Sequence, residues 1–250
     1  PNKMKRNINI LLLTLLLAFA SCSFTTKTFD DNDDKDKLLI QLITYVLEQG
    51  HFEPKDMNDE FSAHVFDDYL NQIDPFKRYF YESDIKEFSA FKNELDNQLM
   101  EYDLSFFNLT HERLLERMEE SKALYKEVLE QPFNFSTNEE FNTDYENIPY
   151  VNSKKEMKER WRQQLKFSAI ANYHDLVKTQ QVEADRRLQI ESMTEAEKEK
   201  ALSKEINKDF KIKSETELEA EARKSTLNSL DELYNFIDDR ERKDWFAVFL

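Results

Sequence analysis

A chain of 250 residues with 20 phenylalanines and one glycine, Gly50, can bury a core but has almost no residue suited to positive φ. Hairpin turns and glycine-rich phosphate loops are thereby excluded, and 34% charged with 13% aromatic residues fits long amphipathic helices. The formal net charge is −16 and the basic residues lie scattered among acidic ones, so no phosphate-binding patch forms and nucleic acid is not an expected partner.

Pro1, Asn2 and Lys3 precede Met4, the expected start of translation. Lys5 and Arg6 then lead into an apolar run from Ile8 to Phe19. That run is too short to span a bilayer, which takes ~20 apolar residues, but it has the form of a secretory signal. Ala20 and Ser21 stand before Cys22, the single cysteine, as in a bacterial lipobox, although Phe19 occupies a place where Leu is more usual. Residues 1–21 are therefore assigned to a lipoprotein-type signal peptide and Cys22 to the lipidated first residue of the mature chain. An ordinary cleaved signal with an incidental cysteine is the alternative; an internal disulfide is excluded either way. Residues 22–37, with Asp30, Asp31, Asp33, Asp34 and Asp36, are expected to form a disordered acidic tether.

Leu39, Ile40, Leu42, Ile43, Val46 and Leu47 mark a first helix, with Gly50 as the residue that ends it. Phe61, Val65, Phe66, Tyr69, Leu70 and Ile73 share one face of a second, which the ring of Pro75 stops at Asp74. Ser83 or Asp84 should cap the next segment, whose stripe is Ile85, Phe88, Phe91, Leu95, Leu99 and Tyr102. Phe107, Leu114, Leu115, Met118, Tyr125, Val128 and Leu129 carry another helix as far as Pro132.

From Pro132 to Asn152, aromatic residues alternate with Asn, Thr and Asp. This predicts an ordered loop pinned by Phe133, Phe135, Phe141, Tyr145 and Tyr150, with a helical turn after Thr137 boxed by Glu140. Ser153 and Glu156 spell a capping box before a long helix through Met157, Trp161, Leu165 and Tyr173. About half of the residues from Lys178 to Lys224 are charged, yet Leu202, Ile206 and Phe210 keep helical spacing. A charged helical arm is expected over 179–224, restarting at Thr194 with Glu197 and at Ser214 with Glu217. Leu227, Leu230, Tyr234 and Ile237 rebuild a buried face, and the run from Asp244 to Leu250 is apolar, which suggests that the polypeptide continues. The fold class expected is all-α: an irregular multi-helix bundle with long helices, an aromatic-pinned loop and a charged arm.

No catalytic constellation stands out. Ser83-Asp84-Ile85-Lys86 and Ser89-Ala90-Phe91-Lys92 both spell S-x-x-K, but no S-D-N or K-T-G element accompanies them. His51, His64, His111 and His174 never pair at helical spacing, so no metal site is assigned. Asp67 and Asp68 are adjacent on a helix and point apart, which suits salt bridges better than acid–base work. No cofactor is implied.

The ordered set Asp67-Asp68-Tyr69-Leu70, then Asp74, Lys77-Arg78-Tyr79-Phe80 and Ser83-Asp84-Ile85 resembles the N-terminal helical region of the tail-specific proteases, or carboxy-terminal processing peptidases. Pro132-Phe133-Asn134-Phe135, Glu159-Arg160-Trp161 and Leu165-Lys166-Phe167 extend the likeness. The resemblance implies a helical N-terminal domain over 38–178 and a lead-in over 225–250 to downstream PDZ and protease domains. Members of that family are serine endopeptidases with a Ser/Lys dyad, and no residue here matches the dyad or the PDZ carboxylate loop. No catalytic residue is therefore assigned; Asp74, Pro75, Tyr79, Phe80, Ser83, Asp84 and Trp161 form a structural motif, with Leu70 as a packing residue. The implied role is the scaffold or docking region of a lipid-anchored, periplasm-facing bacterial endopeptidase that takes proteins by their C-terminal tails. Protein substrates would be reached through the downstream domains and an adaptor on the helical surface. The alternative is a free-standing helical envelope lipoprotein acting as a protein-binding module.

Overall fold

The computed structural model describes residues 32–50, 56–202 and 210–250. The signal segment, Cys22, His51 and Ile206 lie outside them. Among the described residues the fold is all-α, with nine helices, one 3-10 turn and no strand. None of these helices is long and apolar enough to cross a membrane.

Helix α1 (Asn32–Gly50) begins within the acidic stretch expected to be a tether, and Gly50 is its last helical residue. The reason lies far away in sequence: Asp36 is buried against Arg242, so one of the acids is paired rather than solvated. Helix α2 (Asp59–Ile73) starts at Asn58, whose Oδ1 accepts the N–H groups of Glu60 and Phe61 at 3.0 Å each. It ends at Asp74, as the proline predicts.

The following stripe does not form one helix. It breaks into α3 (Glu82–Phe88), the 3-10 turn Ser89–Phe91 and α4 (Leu95–Glu101). Ser89 donates its hydroxyl back to the Ile85 carbonyl at 2.7 Å, and the buried pair of Ser62 and Asp96, 2.7 Å apart, pulls α4 onto α2. Tyr102 closes α4 in the left-handed region with φ 57°, and the Asp103 N–H returns to the Gln98 carbonyl.

Helix α5 (Ser105–Leu129) buries Phe106, Phe107, Leu114, Met118, Tyr125 and Val128, but turns Leu115 outward. The segment from Pro132 to Asn152 is irregular and pinned by aromatic pairs, as expected: Phe76 against Tyr145 at 5.1 Å, Phe141 against Phe167 at 5.3 Å, and Phe135 against Tyr173 at 5.1 Å. The expected helical turn after Thr137 is absent. Thr137 donates to the Asn134 carbonyl instead, and neighbouring Glu139 pairs with Arg162 and Lys166.

Helix α6 (Lys154–Glu191) is about 57 Å long at 1.5 Å per residue. Ser153 caps it, while Glu156 reaches the N–H of Asn152, so only half of the expected box forms. Met157, Trp161, Leu165 and Ala169 recur every fourth residue and are all buried. Helices α7 (Glu195–Leu202) and α8 (Glu215–Asp238) follow, and Ser214 with Glu217 makes the full reciprocal box at the start of α8. Helix α8 runs antiparallel along α6: Asn172 meets Thr226 at 3.0 Å, and Gln180 meets the backbone of Lys213. The buried Ala169 and Ala222 suit that close packing.

The last helix, α9 (Arg242–Phe249), buries Trp245 and Phe246. Phe246 lies 5.0 Å from Phe107 and Phe249 lies 5.1 Å from Tyr69. Part of the apolar run from Asp244 onward thus packs on α2 and α5, while Ala247 and Leu250 stay exposed.

Candidate functional site: the stapled corner

The corner between α2 and α3 brings the predicted motif residues together. Its pivot is Asp74, wholly buried, whose Oδ1 accepts the N–H of Arg78 at 2.9 Å and whose Oδ2 accepts those of Tyr79 and Phe80 at 3.1 and 3.0 Å. Burial pushes this carboxyl upward; the three N–H groups and the Arg78 guanidinium pull against it. Pro75 is exposed on the outside of the bend, while Tyr79 and Phe80 turn inward. Phe80 meets Phe88 edge-on at 5.2 Å.

Helix α6 closes the corner from the other side. Gln164 donates to the Phe76 carbonyl at 3.0 Å, Arg160 to that of Lys77 at 2.7 Å, and Trp161 Nε1 to that of Arg78 at 3.0 Å. Three consecutive carbonyls are therefore held by residues spaced along one face of α6. Arg78 lies over the rings of Phe76, Tyr79 and Trp161, with the Trp161 ring 4.7 Å away.

Lys77 sits at φ 46°, a left-handed backbone that disfavours a side chain with a Cβ. What holds it there is its ammonium, buried and donating to the carbonyls of Glu146 and Ile148 at 2.8 Å each, beneath the Tyr150 ring. Burial first, then the neighbouring Arg160, lower its pKa. Arg160 also reaches the Pro149 carbonyl at 2.7 Å, so the corner, the aromatic loop and α6 form one unit.

Asp84 anchors the next turn. The residue capping α3 is Tyr81, not Ser83 or Asp84: Ser83 is exposed, and Asp84 reaches back to the Tyr81 N–H at 2.9 Å. Its buried carboxylate also takes Arg117 through two hydrogen bonds of 2.9 Å, and Arg113. Burial raises its pKa, but the guanidinium hydrogen bonds and the Tyr81 N–H together hold it below the ordinary value. Tyr81 pairs in parallel with Val151, whose carbonyl takes the Glu82 N–H at 2.9 Å, and Tyr81 donates its hydroxyl to Glu120.

The sequence reading did not give Lys77, Arg78, Arg113, Arg117, Arg160 or Gln164 roles. One signal was available: Arg160, Trp161 and Gln164 share a helix face, and two of these are polar next to a buried tryptophan. The serines of the two S-x-x-K runs do structural work or face solvent; Lys92 is bonded to Asp67 at 2.9 Å. Most polar groups of the corner are thus consumed by backbone or by another side chain of the fold; among the described residues, the buried Arg78 Nε and Gln164 Oε1 are left without a hydrogen-bond partner.

A family model described as the tail specific protease N-terminal domain matches residues 43–250, from within α1 to the end of α9. The chain belongs to this family. The stapled corner lies well inside the tail-specific protease domain, and so does the α6–α8 pair.

Proposed function

We propose that this domain is the non-catalytic scaffold of a tail-specific serine endopeptidase, which processes or degrades proteins from their C-terminal tails. The observation that supports this is the corner itself. The residues most characteristic of the family likeness, Asp74, Tyr79, Phe80, Asp84 and Trp161, are buried and engaged with the fold rather than offered to a substrate. The PDZ and protease domains are proposed to follow on the same polypeptide, and the whole to be held at the bacterial envelope, facing the periplasm, by lipid on Cys22. The chain of 250 residues, incubated with casein and with a tail peptide, is expected to leave both intact. A longer product read from the same frame is expected to cleave them, and to lose the activity when either downstream dyad residue is changed to Ala. Cleavage by the 250-residue chain refutes the scaffold role. A product that ends at Leu250 and captures envelope proteins without peptidase activity would favour the free-standing lipoprotein instead.

A further inference from the structure

A cleft of about 790 Å³ runs between the C-terminal end of α5, the segment 132–139 and the N-terminal half of α6. That is a volume typical of sites that take a ligand. Its apolar lining comes from Val128, Pro132 and Phe133. Along the α6 wall Lys155, Lys158, Arg162 and Lys166 recur at spacings of three and four, which sets them in one row. Facing or beside them are Glu127, Glu139 and Glu159, so cations outnumber carboxylates here in a chain whose formal charge is −16.

Arg162 and Lys166 are engaged by Glu139, but the pair that Lys158 makes across the cleft is weakly held. Lys158 meets Glu127 at 2.6 Å, but the two side chains are 43% and 58% exposed. Exposed pairs of this kind contribute at most about 1 kcal/mol, so an incoming carboxylate can exchange with Glu127 at little cost. Lys155 makes no ion pair among the described residues and is exposed. Beyond Lys166 lies a smaller apolar hollow of about 110 Å³, lined by Phe135, Phe141, Phe167 and Ile170. The two recesses share Thr137, Glu139 and Lys166.

We propose that this cleft binds an extended segment of the polypeptide being processed, one that carries an apolar or aromatic side chain flanked by aspartate or glutamate. The apolar side chain would rest on Val128 and Phe133, the flanking carboxylates would meet Lys155 and Lys158, and a second apolar side chain would reach the hollow beside Phe167. The two recesses arranged along one row of cations fit a strand-like chain with spaced side chains. This rests on the proposed role as the scaffold of an endopeptidase that processes or degrades proteins from their C-terminal tails.

The test is fluorescence anisotropy with a labelled peptide bearing Phe between glutamates, titrated with the 250-residue chain. Saturable binding is expected, weakened at least tenfold when Lys155→Glu and Lys158→Glu are combined, with circular dichroism and urea unfolding unchanged. Replacing the peptide's Phe by Ser, or its glutamates by lysines, should weaken binding to a similar degree. Absence of binding, equal binding of the lysine peptide, or indifference to the charge reversal overturns the proposal. If the peptide neither binds nor is cut, the cleft proposal fails and the scaffold role stands. If it is cut by this chain, the scaffold role fails whatever the binding shows.

Discussion

Replacing Asp74 by Ala tests whether the corner is held by its buried carboxylate. The substitution strips the acceptor from the N–H groups of Arg78, Tyr79 and Phe80 at 2.9, 3.1 and 3.0 Å. Tyr79 and Phe80 are buried, so water cannot replace it there. A buried donor left without a partner costs about 1–3 kcal/mol, which for two such groups is about 2–6 kcal/mol. Releasing a desolvated charge offsets part of this, leaving an expected loss of about 2–5 kcal/mol. Asp74→Asn should fall between: its oxygen can serve Tyr79 and Phe80, but its NH₂ then faces the Arg78 N–H. Urea denaturation followed by circular dichroism reads the effect as a lowered midpoint at unchanged slope. An Asp74→Ala midpoint equal to that of the parent, or one above Asp74→Asn, would refute the reasoning.

Three further outcomes are expected. Trp161→Phe keeps an aromatic ring but loses the Nε1–H bond to the Arg78 carbonyl, and should lower stability by about 1–3 kcal/mol in the same denaturation assay. Lys77→Met keeps the apolar stem but frees the carbonyls of Glu146 and Ile148; amide hydrogen exchange should speed up across 144–150 while α5 stays protected. Alkaline unfolding should be steep, because burial pushes Tyr69 up to about 12 and raises Tyr81, Tyr125 and Tyr234 as well. Groups raised in this way give stability that is full below pH ~10 and is lost as pH climbs toward the folded values, at about 1.4 kcal/mol per pH unit for each. The tyrosinate absorbance expected of all ten tyrosines should therefore be reached only with loss of helical circular dichroism; complete tyrosine ionisation with the helices intact would contradict it.

The helices were legible because burial repeats at helical spacing. Phe66, Tyr69, Leu70 and Ile73, or Met157, Trp161 and Leu165, announce a face whatever lies opposite. The bend at Pro75 was legible because its cause is local. What escaped depends on partners distant in the chain. Asp36 reads as one acid in a solvated run until Arg242 arrives beside it, and the stripe after Ser83 reads as one helix until Ser62 takes Asp96. Glu140 has the capping-box spacing from Thr137, yet it is its neighbour Glu139 that meets Arg162 and Lys166. Periodicity carries no information about which carbonyl a side chain of α6 will reach across the fold.

The scarcity of glycine and the wealth of side-chain-to-backbone bonds have one physical origin. A chain with a single glycine must turn with residues that resist turning, and here Lys77 and Tyr102 occupy left-handed backbone. At Lys77 the resistance is overcome by over-determination: Asp74 from within the bend, Arg160, Trp161 and Gln164 from α6, and the lysine's own ammonium all fix the same few peptide groups. The cleft is built by the same device. Glu219 of α8 accepts the Phe133 N–H at 2.8 Å, and Arg223 donates to the Leu129 carbonyl at 2.6 Å, so the apolar side of the cleft is tied down from α8. A wall held in this way loses little further freedom when it takes up a ligand. Rigid irregular loops are thus what this composition yields, and they suit a surface that must hold a flexible chain without first having to order itself.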